Sequence, residues 1–149
     1  MALFQLLHLL AVLVWVGGMF FAYVVLRPSA VEALKPPERL RLWDKVFSRF
    51  FNWVWLAVFV LLTSGFYMIY QLGGFAHVPA YVHLMLLLGI VMMAIFAYVF
   101  FSCYVRFNLQ VEAKDWAKAG AILGTIRKLV GLNLVIGLLT VAEVFFGRG

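Results

Sequence analysis

Four apolar runs, each long enough to cross a lipid bilayer, constrain this 149-residue chain more than any other feature. A helix crossing the hydrocarbon core needs about 20 mostly apolar residues. The runs fall at roughly residues 3–26, 51–70, 82–105 and 129–146. The fourth has room to begin earlier, because 116–125 is helix-compatible and amphipathic. The first is expected to stay on the chain. It lacks a preceding basic region, is long for a signal peptide, and no small-residue cleavage pattern follows it. The sequence therefore predicts an all-α fold, one antiparallel transmembrane four-helix bundle forming a single domain over 1–149.

Charge supplies the direction. Charged residues make up 12% of the chain, against about 25% in a soluble domain, which excludes the soluble class. The net charge of +6 would otherwise suggest a nucleic-acid partner. Its distribution argues against one. Arg27, Lys35, Arg39, Arg41, Lys45 and Arg49 lie between the first two runs. Arg106, Lys114, Lys118, Arg127 and Lys128 lie between the last two, and the connection 71–81 has neither Lys nor Arg. Short segments rich in Lys and Arg stay in the cytoplasm. Segments 27–50 and 106–128 are thus expected as cytoplasmic loops of a bacterial-type inner membrane. The N-terminus, the middle connection and the C-terminus are expected outside, on the periplasmic face.

Punctuation agrees with this layout. Pro28 follows the first run, Pro36-Pro37 interrupts the first basic segment, and 38–50 reads as a short helix leading into the second span. Gly73-Gly74 and Pro79 mark a turn on the outer side. There is no internal repeat, and the chain is short for a transporter built on inverted repeats. Cys103, the lone cysteine, offers no disulfide and reads as a small packing residue.

Ionisable residues inside a span are costly and mark functional sites by default. His8 lies near the outer start of span one, His83 near the outer start of span three, and Glu143 near the outer end of span four. At 1.5 Å per residue the two histidines sit within about 5 Å of the same depth. Spans one and three are diagonal in a simple bundle, about 11–14 Å apart, a gap that two imidazoles and one iron can bridge. The leading candidate is therefore a b-type haem with His8 and His83 as axial ligands. A copper ion is the alternative, held by the same histidines with Glu143, Met68 or Met85 supplying a thioether or carboxylate. Met85, two residues from His83, faces a different side of its helix.

The surrounding stripes fit an interior site. His8, Ala11, Trp15, Gly18 and Ala22 share helical spacing, as do Asn133, Gly137, Thr140 and Glu143. Trp15 and Gly18 are candidates to wall and make room for a flat cofactor. Thr63, Ser64 and Gly65 form a small polar patch. Ordinary readings stand beside these: small residues promote close packing, methionines fill gaps, and His77 is a surface residue. Trp53, Trp55, Tyr67, Tyr70 and Tyr81 form an interfacial belt. Arg49 and Asn52 open span two and are expected to anchor it at the headgroups, with binding of substrate or lipid phosphate as the alternative.

The stretch from Leu7-His8-Leu9-Leu10 through Trp15-Val16-Gly17-Gly18 resembles the opening of copper-resistance D (CopD)-type membrane proteins, as does Leu26-Arg27-Pro28. Phe47-Ser48-Arg49-Phe50, with a following span ending Thr63-Ser64-Gly65, is similar to that family's second recognisable helix. The resemblance implies copper handling across the inner membrane. A more distant resemblance to HemJ-type protoporphyrinogen oxidases implies a b-type haem, with His8 as the first-helix histidine and Arg27 as the arginine that follows. The closing histidine of that family's signature run is absent from Tyr23–Pro28. On the haem reading, quinol or porphyrin would be the redox partner. A third reading is a non-catalytic assembly subunit, and the apolar faces suit a homo-oligomer or a larger membrane complex.

Overall fold

In the computed structural model, which describes all 149 residues, four helical rods run Ala2–Ala33, Pro36–Gln71, Ala80–Glu112 and Trp116–Arg148. Each is long and apolar enough to cross a membrane, and no strand is present. The protein is an all-α, multi-pass membrane protein built as a four-helix bundle. The first rod comprises α1 (Ala2–Phe20), a widened π-type turn at Phe21–Leu26, and α2 (Arg27–Ala33). The second is one helix, α3 (Pro36–Gln71). The third comprises α4 (Ala80–Tyr98), a π-type turn at Val99–Tyr104, and α5 (Val105–Glu112). The fourth is α6 (Trp116–Arg148).

The basic segments 27–50 and 106–128, expected as loops, are mostly helix. Pro28 does not end the first rod. A proline inside a helix removes one donor and clashes with the carbonyl four residues back. Here the wider turn immediately precedes it, where i→i+5 bonding relieves that register. The expected short helix over 38–50 is simply the first part of α3, which at 36 residues spans about 54 Å. Both basic segments thus extend the rods beyond a hydrocarbon core about 30 Å thick.

The real connections are short. Leu34 and Lys35 are extended, and Lys35, directly before Pro36, adopts the conformation that a residue preceding proline prefers. Pro36 and Pro37 then occupy the first turn of α3, where a missing N–H costs little. At the second basic connection Lys114 turns the chain with φ 58°. Asp115 caps α6 by accepting from the Lys118 N–H at 3.2 Å. At the opposite end Gly73 and Gly74 take φ 99° and 94°, the left-handed region that glycine enters without penalty. The Gly74 N–H closes α3 by donating to the Ile69 carbonyl at 2.9 Å. These turns define a basic end and a turn end, and both termini lie at the turn end.

α1 packs along α3, α4 packs along α6, and α1 also meets α6. The half nearer the basic end is filled by aromatic rings. Phe51, 3% exposed, stacks on Phe47 with centroids 5.0 Å apart and meets Phe96 and Tyr104 edge-on at 5.4 Å. Phe47 meets Phe107 at 5.9 Å, and Trp55 meets Phe96 at 4.9 Å. Cys103 is fully buried among these packed side chains. Edge-to-face pairs add about 0.5–1.5 kcal/mol each beyond burial. Phe51→Ala should therefore destabilise the detergent-solubilised protein by at least about 2 kcal/mol in equilibrium unfolding. Phe59→Ala, at a position 67% exposed to the lipid side, should cost under about 0.5 kcal/mol.

Candidate functional site

The half nearer the turn end is open. There all four rods line a cavity of about 540 Å³, walled mainly by apolar side chains. Met1, Leu72, Tyr81 and Arg148 lie at the turn-end side, and Trp15, Met92 and Gly137 lie deeper. Trp15 is buried and sets its edge against Phe96, so it joins the cavity to the aromatic half.

His8 projects from α1 into this cavity. Its Nδ1 lies 2.9 Å from the Ser64 hydroxyl on α3. The Ser64 hydroxyl carries one proton, and it donates that proton to the Val60 carbonyl at 2.6 Å. Its lone pair then accepts from His8, which requires a proton on Nδ1. In the neutral imidazole this arrangement leaves Nε2 as the unprotonated nitrogen, available as a ligand. Orienting one ring nitrogen through the hydrogen bond of the other is how proteins prepare metal-binding histidines.

Thioethers share the same wall. Met68 from α3 and Met85, Met92 and Met93 from α4 all line the cavity, with Met1 at its edge. Sequence reasoning picked out Met68 and Met85 and missed Met92 and Met93. The signal was their spacing: positions 85, 92 and 93 fall seven and eight residues apart and share one helical face. It also missed the His8–Ser64 bond, which joins two different rods. The histidine of α4 goes elsewhere. His83 is exposed, is not part of the cavity lining, and leans on Phe75 with ring centroids 6.1 Å apart. The depth coincidence of His8 and His83 therefore does not bring them to one site. His83 and Met85 are two positions apart, about 200° around the helix, so only one can face inward.

The remaining candidates divide. Trp15 lines the cavity, and Gly18 does not. A side chain at Gly18 would collide with the Phe50 ring, so this glycine permits close packing of α1 on α3. Glu143 is half-buried, with an inaccessible Oε1 that has no hydrogen-bond partner, but it lies outside the lining to which Thr140, Val141 and Val144 belong. His77 is exposed and donates from Nδ1 to the Gly73 carbonyl at 2.9 Å, tightening the turn. Nowhere do three of His, Cys, Asp and Glu converge. The cavity's wall carries one imidazole and several thioethers, with the polar side chains of Gln5, Tyr81, Thr140 and Arg148 also among its lining.

A family model described as copper resistance protein D matches residues 44–146. The chain belongs to this family. The match begins within α3, so it takes in Ser64 and the methionines at 68, 85, 92 and 93 but stops short of His8. No curated protein and no solved structure matches the chain. Nothing found supports the HemJ-type resemblance.

Removing the Ser64 hydroxyl should release the His8 ring. In Ser64→Ala, 15N imidazole shifts should change from a dominant Nδ1–H form to a mixture of tautomers, with a stability loss of about 1 kcal/mol.

Proposed function

We propose that the protein handles Cu(I) within the membrane, taking the ion into the cavity at the turn end. One observation carries this reading: the His8 imidazole, with Nε2 free, shares a cavity with the thioethers of Met68, Met85, Met92 and Met93. Thioether sulfur is a soft ligand that selects Cu(I), and imidazole also suits copper. The donors fit that ion. Uncharged ligands and an apolar wall would favour a singly charged ion over a divalent one, which needs more compensation in low dielectric. Copper here is cargo, and the family name agrees with it.

The bis-histidine haem reading is less well supported. Its second axial ligand, His83, lies on Phe75 outside the cavity. Quinol and porphyrin partners belong to that reading and gain no support from the geometry. Glu143, outside the lining, is not assigned as a ligand.

The basic segments also set the direction proposed for the bundle. With the Lys- and Arg-rich end in the cytoplasm, the cavity opens to the outer face of the inner membrane. Cysteines introduced one at a time test this in intact cells, against the quiet background of the fully buried Cys103. Phe75→Cys should react with a membrane-impermeant maleimide and Lys114→Cys should not; the reverse pattern would invert the topology.

Metal binding is tested by titrating Cu(I) into detergent-purified protein under reducing conditions, against a coloured Cu(I) chelator. The wild type should retain about one ion per chain, and His8→Ala and Met92→Leu should each weaken retention by about 10-fold or more. His83→Ala should retain copper like the wild type. Equal weakening by His8→Ala and His83→Ala, or a Soret band with stoichiometric iron in the isolated protein, would sink this assignment.

A further inference from the structure

A second cavity, of about 270 Å³, lies at the basic end. It is walled partly by apolar and aromatic side chains, including Trp43, Phe47 and Trp116. Three guanidinium groups also line it: Arg27 from α2, Arg39 from α3 and Arg127 from α6. No carboxylate is among its lining residues. The one ion pair in the molecule, Lys118 with Asp115 at 3.7 Å, lies elsewhere. Asp44 accepts from the Asn108 side chain at 2.9 Å and is not part of this wall.

These arginines have donors to spare. Arg27 lies over the Tyr23 ring, 4.7 Å from its centroid, and its Nε donates to the Tyr23 carbonyl at 3.4 Å. Its two Nη groups have no hydrogen-bond partner within the protein. Arg39 Nε is buried and makes no hydrogen bond at all. A buried charged donor without a partner costs more than an ordinary missing hydrogen bond. The first turn of α3 also lines the cavity through Pro36, adding the positive end of a helix dipole. Three like charges line one cavity with no carboxylate in its wall, and a bound anion would offset their mutual repulsion.

We infer that this cavity binds a phosphate-class oxyanion, through bidentate and single contacts from Arg27, Arg39 and Arg127. Guanidinium forks match phosphate oxygens in geometry as well as charge. The apolar wall and the position at the basic end of a membrane bundle suit the phosphodiester of an anionic phospholipid. The volume holds a headgroup, and the acyl chains would lie against the lipid-facing exterior. Free phosphate offers the same oxygens without the apolar part. The site is separate from the copper cavity and stands whether or not copper binds there.

Thermal unfolding of delipidated protein in a neutral detergent tests the inference. Phosphatidylglycerol, phosphatidylcholine and inorganic phosphate are titrated separately. Phosphatidylglycerol should raise the midpoint saturably, and phosphatidylcholine at the same mole fraction should not. A saturable rise with inorganic phosphate alone would identify the oxyanion as sufficient; a rise with phosphatidylglycerol alone would identify the lipid as the source. Arg39→Gln and Arg27→Gln should each weaken the response to the effective anion by about fivefold. Arg127→Gln, at an exposed position, guards against a folding defect and should weaken it as well. Lys45→Gln, exposed at the same end but outside the cavity, should respond like the wild type. The inference is overturned if neither anion raises the midpoint above phosphatidylcholine, or if Lys45→Gln loses as much response as Arg39→Gln.

Discussion

Backbone hydrogen bonding in a solvent that offers no partners governs this structure. Inside lipid every N–H and C=O must be satisfied within the protein, so each crossing has to be an unbroken helix. Of 124 backbone hydrogen bonds, 112 lie within helices, and the remainder close turns and ends. The constraint holds at Pro28, where a widened turn keeps the rod continuous instead of exposing carbonyls. It also explains why the basic segments are helical extensions joined by turns of a few residues. Once the rods are unbroken, little freedom remains except how they lean on one another.

That freedom divides the bundle into unequal halves. Toward the basic end, rings from α3, α4 and α5 interlock around Phe47, Phe51 and Phe96 and fix the rods at close range. Toward the turn end the packing is pairwise, α1 on α3 and α4 on α6, and a space opens between the pairs. In a bilayer the hydrophobic effect does not drive helices together, so contact is held by packing and by hydrogen bonds between rods. The His8–Ser64 bond ties α1 to α3 beside the cavity, and Asn133 ties α6 to the Met92 carbonyl on α4 at 3.1 Å. Each bond stitches one pair and leaves the space between pairs open.

The two cavities have opposite chemistry. One gathers an imidazole and thioethers in a mainly apolar wall, with Arg148 at its turn-end side; the other gathers three arginines with no acid among them. Both are assembled from residues far apart in the chain, on rods that the aromatic half holds in place. The family match covers the rods that supply the thioethers, and the histidine comes from α1, outside the matched stretch.

The sequence by itself determined the class of fold, the four crossings and the grouping of nearly all Lys and Arg at one end. Those follow from run length and charge, which are local properties. It also marked Gly73-Gly74 as a turn, because two adjacent glycines permit backbone angles that other residues resist. It singled out His8, since a histidine in an apolar run is conspicuous wherever it points. Which side of its helix each polar residue faces was decided only by packing. His83 and Glu143 have the depth for the first cavity and lie outside its wall, and Gly18 serves the Phe50 contact instead of a cofactor. Met92 and Met93 read as ordinary apolar residues until α4 is rotated against α6. Depth is set by position along one helix, but convergence depends on the rotation of each rod about its own axis, and that is fixed by contacts between rods.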